Sequence, residues 1–429
     1  MPGRRRRPEP VEPAANETPS ERLISDRGAF LSFCDRLGES RAIAVDTEFH
    51  SERRYWPELF LVQIADKDGP WAVDPLAVGD LAPLETVFTD PSITKVMHSA
   101  RNDIAILRRT LPGGRLANVF DTQVAAAFLG YGEQCSLHNL LQDVCGIKSR
   151  KAFCLSDWSR RPLAEEQLDY ALDDVRFLLD LHSRLDSELA RKRRTEWYRL
   201  EAGELVRPET YEVSLPDLFR RARSSGKIKR SNLPVLWRLV GWREMRARDL
   251  DRPRQHIASD SLLARLAVMS PGSMDSLDRL RGLPSGFASK WGAEILEVVG
   301  KAVSDPPSDV PEIRVQRPDG TASARADILR IYVKQKASQL RIAPSLLMPR
   351  DLLDRLSSAK PGEEAQGAAP GDEGLGGWRM EVLGSEVFDL LSGRLALALN
   401  PARAGGLGFV KVQEPRERTR SAPRREGEG

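Results

Sequence analysis

A change of hydrophobic period near Leu200 constrains this chain more than any other feature. From about Glu21 to Leu200, short β-branched and apolar runs alternate with helical patterns, which requires an α/β domain with helices covering a sheet. Ile43 to Phe49, Leu59 to Asp66, Trp71 to Val73 and Thr94 to His98 read as strands, and three of them arrive before any long helix. Beyond Leu200 only helical spacing remains. Leu233, Leu236 and Val240 stand at i, i+3 and i+7, and Leu262, Leu263 and Leu266 follow a Ser259-Asp260 cap.

At 429 residues the chain predicts two or three domains. The expected division is a basic tail over 1–20, an α/β domain over 21–203, a basic linker over 204–230 and a helical domain over 231–303. A Pro- and Gly-rich linker over 304–321, a second helical unit over 322–400 and an Arg-rich tail over 401–429 complete it. Lys360 to Gly377 is a Gly/Ala/Pro/Glu stretch with nothing to bury.

Bulk charge does not announce a polyanion partner, because 65 basic residues nearly balance 62 acidic ones. Local charge does more: Arg220, Arg221, Arg223, Lys227, Lys229 and Arg230 form a run suited to phosphates, or equally a solvated linker. The four cysteines contain no C-x-x-C pair, which excludes a disulfide scaffold and a zinc ribbon. Cys135, His138, Cys145 and Cys154 offer a looser metal set, but reduced thiols in a reducing compartment is the preferred reading. No apolar run is long enough to span a bilayer and the first residues do not read as a signal peptide, so a cytoplasmic protein without membrane contact is expected.

Chemistry concentrates in a few acids. Asp46 and Glu48 lie two apart in a strand, which puts both carboxylates on one face while Ile43, Val45 and Phe49 point to the other. Crowded anions raise each other's pKa unless cations neutralise them, although an isolated D-x-E on a strand more often marks two solvated surface acids. Asp103 follows the strand ending at His98 and opens a helix, where an Asp is also an ordinary N-cap. Tyr170 and Asp174 stand at i and i+4 on a helix, off its apolar stripe of Leu168, Ala171 or Leu172, and Val175. By itself that pair reads as a surface hydrogen bond.

Together the segments Val45-Asp46-Thr47-Glu48-Phe49, Lys95 through Asp103 and Tyr170-Ala171-Leu172-Asp173-Asp174 resemble the DEDD exonuclease superfamily in its tyrosine subgroup, and most closely the ribonuclease D family. Ser156-Asp157-Trp158, Arg161-Pro162-Leu163 and Glu166-Gln167-Leu168-Asp169 are also similar to it, whereas Phe153-Cys154-Leu155 is apolar where that family suggests polar residues. The resemblance implies a ribonuclease-H-like α/β domain, a mixed sheet with flanking helices, and two divalent metal ions, Mg²⁺ or Mn²⁺. By the same analogy Asp46 bridges both ions, Glu48 and Asp174 hold the ion that activates water, Asp103 supports the other, and Tyr170 orients the water. His98 reads as a structural histidine and Trp158 as a packing residue.

The helical half resembles HRDC domains, a first copy at Leu236-Trp237-Arg238 and Trp242-Arg243, and a degenerate second copy at Ala343 to Leu347 and Gly377-Trp378-Arg379. The expectation is therefore a 3′-to-5′ exoribonuclease trimming precursor tRNA or other small RNA with a free 3′ end, releasing nucleoside 5′-monophosphates, with no protein partner. Its rivals are a DNA exonuclease on the same scaffold and a catalytically idle RNA-binding protein.

Overall fold

The structure is a computed structural model that describes residues 18–148, 157–312, 320–358, 377–399 and 407–412. Cys154 with its apolar neighbours, the Gly/Ala/Pro/Glu stretch, nearly all of the first tail and the last residues of the second lie outside them. The chain divides into two compact units, the first holding the described residues up to 126 and from 135 to 312, the second holding 127–134 and those from 320 onward.

The first unit is built on a six-stranded mixed sheet of order β1-β4-β3-β2-β5-β6. Its strands are β1 Leu23–Ile24, β2 Ala42–His50, β3 Glu58–Asp66, β4 Gly69–Val73, β5 Thr94–Met97 and β6 Val119–Asp121. β3 runs antiparallel to β2 and β4, while β1 with β4, β2 with β5 and β5 with β6 are parallel. The four expected strands are present within a few residues of their predicted ends. β1 and β6 have two and three residues, too few to show a period, and tertiary pairing alone reveals them.

Helices α1 Arg27–Gly38, α2 Pro75–Val78, α3 Leu84–Thr89 and α4 Arg101–Thr110 precede α5 Thr122–Leu129 and α6 Leu137–Leu140. α7 Glu165–Arg176, α8 Leu178–Arg191 and α9 Thr195–Val206 follow. On one face of the sheet Ile43, Val45, Val62 and Ile64 bury against Phe30, Phe33, Leu37, Phe88, Ile104 and Leu107. On the other face Leu61 and Ala72 bury against Leu168, Ala171 and Leu172 of α7. Full burial of an aliphatic or aromatic side chain stabilises by about 1.5–3 kcal/mol, so the two layers fix the sheet firmly. The apolar stripe of α7 continues into α8, and the break between them at Phe177, with φ −111° and ψ 2°, is invisible to periodicity.

Several expected boundaries change. Residues 204–230, expected as a linker, contain α10 Leu215–Ser224, whose Leu218, Phe219 and Ala222 are buried in the helical core. Their i, i+1 and i+4 spacing behind the Ser214 cap is a helix signal outweighed in the sequence by the arginines around it. Pro19–Arg22 forms a 3₁₀ turn with the Ser20 N–H bonded to Glu165, so order starts within the stretch read as tail. The helical domain continues as α11 Leu233–Asp249, α12 Arg254–Ile257, α13 Asp260–Met269, α14 Met274–Asp278 and α15 Phe287–Ser304. Ser259 caps α13 by accepting the Leu262 N–H, as its sequence suggested.

The second unit carries α16 Gly320–Leu340, α17 Pro344–Leu347, α18 Arg350–Ser358, α19 Trp378–Leu383 and α20 Glu386–Leu391. It is not all-α, as the sequence reading had it. β7 Leu395–Leu399 pairs antiparallel with β8 Leu407–Lys411, the latter lying inside the stretch expected as a tail. Leu-Ala-Leu-Ala-Leu favours a helix by propensity, but its period-2 alternation fits a strand, and the pairing decides. Among the described residues no helix is long and apolar enough to cross a membrane.

Candidate active site

β2 presents Ala44, Asp46 and Glu48 beneath α7, and Ile43, Val45 and Thr47 towards α4. A register shift between Glu48 and Phe49 ends the regular ladder just past the second acid. α7 brings the opposing acid and is tied down at its start. Arg161 forms two bonds to buried Asp74, at 2.6 and 2.8 Å, and donates to the carbonyls of Phe60 and Trp158. Gln167 accepts the Ala164 N–H at 3.1 Å.

Carboxylate oxygens of Asp46, Glu48 and Asp174 all lie within 4.8 Å of one another, the metal-ligand grouping that the described residues contain. The Tyr170 hydroxyl donates to Asp174 one helical turn away. The neighbouring Asp173 pairs with Arg176, which also reaches Asp169 at 3.4 Å, so of the two adjacent aspartates it is Asp174 that faces the sheet acids. Asp103 comes from the opposite face. It is the third residue of α4, only 7% exposed, and accepts the Thr47 hydroxyl at 2.5 Å. Ala100 is the N-cap, so Asp103 does not cap its helix. Three of the four expected acids thus share one oxygen-lined point, and the fourth stands behind β2 within electrostatic reach of Asp46.

Burial pushes all four carboxyls up. Asp46 rises well above its ordinary range through burial, reinforced by the charges of Asp103, Asp174 and Glu48. Burial and then Asp174 and Asp103 raise Glu48 to about 8. Asp174 reaches about 7, burial outweighing the Tyr170 hydrogen bond, and Asp103 about 6, burial outweighing Thr47. Burial and the nearby carboxylates also raise Tyr170, which keeps its phenol protonated throughout the neutral range. Such a cluster lacks only positive charge, and an all-oxygen donor set suits a hard divalent cation.

Other sequence candidates resolve into structure. His98 Nδ1 lies 2.9 Å from the Thr122 hydroxyl and burial holds its pKa down, as a satisfied structural histidine requires. Trp158 is buried with Leu163, Leu168 and Leu172, its ring 6.4 Å from that of Tyr170. Cys135, His138 and Cys145 are not brought together among the described residues. Two further residues carry no signal of their own in the sequence: Thr47, which stands between the two strand acids and donates to Asp103, and Asp121, buried at the end of β6.

A family model described as 3′–5′ exonuclease matches residues 22–190, and one described as HRDC domain matches 232–299. The ribonuclease D of Acidiphilium cryptum (strain JF-5) is 36% identical over 392 residues, covering 90% of this chain and 96% of that protein. The chain belongs to the ribonuclease D family. The ribonuclease D of Nitrobacter hamburgensis is 34% identical over 384 residues, covering 89% of this chain and 98% of its own length. The crystal structure of Escherichia coli RNase D, described as an exoribonuclease involved in structured RNA processing, superposes with a TM-score of 0.76 at 27% identity. It covers 86% of this chain and 98% of that one. As a member of the ribonuclease D family the chain is a metal-dependent 3′–5′ exoribonuclease, and the carboxylate group fits the divalent cation that this family uses.

Proposed function

We propose that the chain trims the 3′ ends of precursor tRNA or other small RNA, using two divalent ions, Mg²⁺ or Mn²⁺, held by Asp46, Glu48, Asp103 and Asp174. The convergence of three carboxylates within 4.8 Å, with the Tyr170 hydroxyl on one of them, carries this reading. When bound, the ions supply an activated water and neutralise charge on the phosphate. Asp46, which feels the charges of the other three acids, would hold the ions together with Glu48 and Asp174 from the side facing α7, and Asp103 would support them from the side facing α4. Tyr170 is too high in pKa to act as a base, so it orients the attacking water through the lone pairs of its hydroxyl. Water attacks the terminal phosphorus in line, the 3′ oxygen of the next nucleotide departs, and a nucleoside 5′-monophosphate leaves without a covalent intermediate.

A structured RNA substrate is supported by the likeness to Escherichia coli RNase D and by α10, whose Arg220 and Arg221 are exposed. We further read α16 to α20 as a degenerate second HRDC copy with an added β-hairpin, and free thiols at Cys34, Cys135 and Cys145 as support for a cytoplasmic location. The test is digestion of end-labelled RNA and DNA by the purified protein with and without chelator. Stepwise loss of 3′ nucleotides from RNA, abolished by chelator and by Asp103→Asn, is expected. Full activity of Asp103→Asn would remove that residue from the site, and a preference for DNA would overturn the substrate class.

A further inference from the structure

Asp121 closes β6, is 3% exposed and lies outside the carboxylate group. One of its oxygens accepts the N–H groups of Ser99, Gln123 and Val124 at 3.1, 2.7 and 3.3 Å, and the other accepts Ala100 at 2.8 Å. The Gln123 and Val124 bonds are ordinary capping of α5. Those to Ser99 and Ala100 reach across to a different element, the corner through which β5 enters α4. Ser99 sits there at φ 57°, a left-handed conformation that a residue with a Cβ adopts only when its surroundings hold it. Ala100 is the N-cap of α4 and Asp103 its third residue, so the corner sets where the Asp103 carboxyl meets Thr47. Asp121 is itself held, its N–H donating at 2.8 Å to the buried hydroxyl of Tyr198 on α9.

We infer that Asp121 is a positioning residue of the metal site, acting through Asp103 by locking the Ser99–Ala100 corner. Both carboxylate oxygens are needed, because Oδ1 accepts the Ser99 N–H along with the two α5 N–H groups while Oδ2 accepts the Ala100 N–H. An asparagine keeps one acceptor oxygen and turns its NH₂ towards whichever N–H, that of Ala100 or that of Ser99, the other oxygen had accepted. The corner then loses one of its two anchoring bonds and gains a donor facing a donor, which loosens Ser99 from the left-handed region. Substituting glycine at Ser99 removes that conformational penalty and stabilises the corner without the anchor.

The inference rests on the assignment of Asp103 to the metal site, and the experiment separates the two. Mn²⁺ affinity by calorimetry, kcat, RNA KM and Tm are measured for Asp121→Asn, Asp103→Asn, their double variant and Ser99→Gly/Asp121→Asn. Asp121→Asn is expected to weaken Mn²⁺ binding and kcat by about tenfold, the scale for residues that orient metal ligands, with RNA KM nearly unchanged. It adds no further loss in Mn²⁺ affinity to Asp103→Asn, and Ser99→Gly recovers most of the loss. Additive losses in the Asp103→Asn background, or a lower Tm with unchanged Mn²⁺ affinity, would overturn the role of Asp121. Wild-type Mn²⁺ affinity and turnover in Asp103→Asn would instead overturn the assignment of Asp103. Asp121→Ser, which keeps one acceptor, replaces the asparagine variant if that does not fold, with the same outcomes.

Discussion

Asp46 bears the combined effect of burial and three neighbouring carboxyls, and that electrostatic load has consequences separable from catalysis. Asp46, Glu48, Asp103 and Asp174 all have folded pKa values above those of an unfolded chain, at about 8, 7 and 6 for Glu48, Asp174 and Asp103. The metal-free folded protein therefore binds protons that the unfolded chain has released, and its stability falls as pH rises from about 4 through about 8. Asp46→Asn removes one of the repelling charges. It should abolish metal-dependent turnover yet raise the Tm of the chelator-treated protein at pH 8, with the gain fading towards pH 4; a lower Tm at pH 8 would contradict the crowding argument. By the same protonation, Mn²⁺ has to displace protons, so its affinity should weaken as pH falls from about 8 to about 6, with proton release visible in calorimetry across buffers of different ionisation enthalpy. In its proposed role of orienting the attacking water Tyr170 would act on the transition state, so Tyr170→Phe should lower the single-turnover rate far more than RNA affinity. An unchanged single-turnover rate removes it from the mechanism.

Elements meet where the β2–β3 hairpin docks on the HRDC domain. The Tyr55 hydroxyl bonds Glu244 of α11 and accepts from Arg248 and Arg254 at 3.1 and 2.8 Å, while the Trp56 N–H donates to Asp251 at 3.0 Å. Arg109 of α4 stacks on the Trp56 ring at 3.5 Å. The loop leaving the strand of Asp46 and Glu48 is thus fastened at its far end by another domain. Glu244 is 7% exposed and also accepts from Arg248 and Arg254, so Glu244→Gln should destabilise by about 1–3 kcal/mol. Combined with Tyr55→Phe, the loss in urea unfolding should be less than additive, because both changes break one contact. Full additivity would show that the two side chains act independently.

At the scale of the molecule, the question is where the nuclease ends. Residue 203, the boundary suggested by sequence, falls inside α9, and Leu205, Val206 and Tyr211 pack against the sheet's core. A truncation after Glu212 keeps those contacts and every proposed metal ligand, and removes α10 with its arginines and both helical units. It should still cleave short single strands, bind a hairpin with a 3′ overhang weakly, and show a flatter salt dependence. Each lost phosphate contact reduces the slope of log K against log salt by about 0.7 for single strands or about 0.9 for duplex. Equal affinities and slopes for the full and truncated chains would indicate that the helical half serves protein partners.

The sequence by itself determined the long strands and most helices beyond Leu200, because period-2 and 3.6-residue patterns survive without neighbours, and it marked the candidate acids through the family resemblance of their motifs. It could not show that Asp103 approaches from the opposite face of β2, since side-chain direction there depends on how α4 crosses the sheet. Nor could it reveal β1, β6 and β8, because short elements draw their stability from partners distant in sequence, whereas the helix signal of α10 was present but masked by the arginines around it. Tertiary structure alone decided that Asp121 joins three elements and that Tyr55 reaches the HRDC domain, for hydrogen bonds between residues 77 and 189 positions apart leave no periodic trace in a chain.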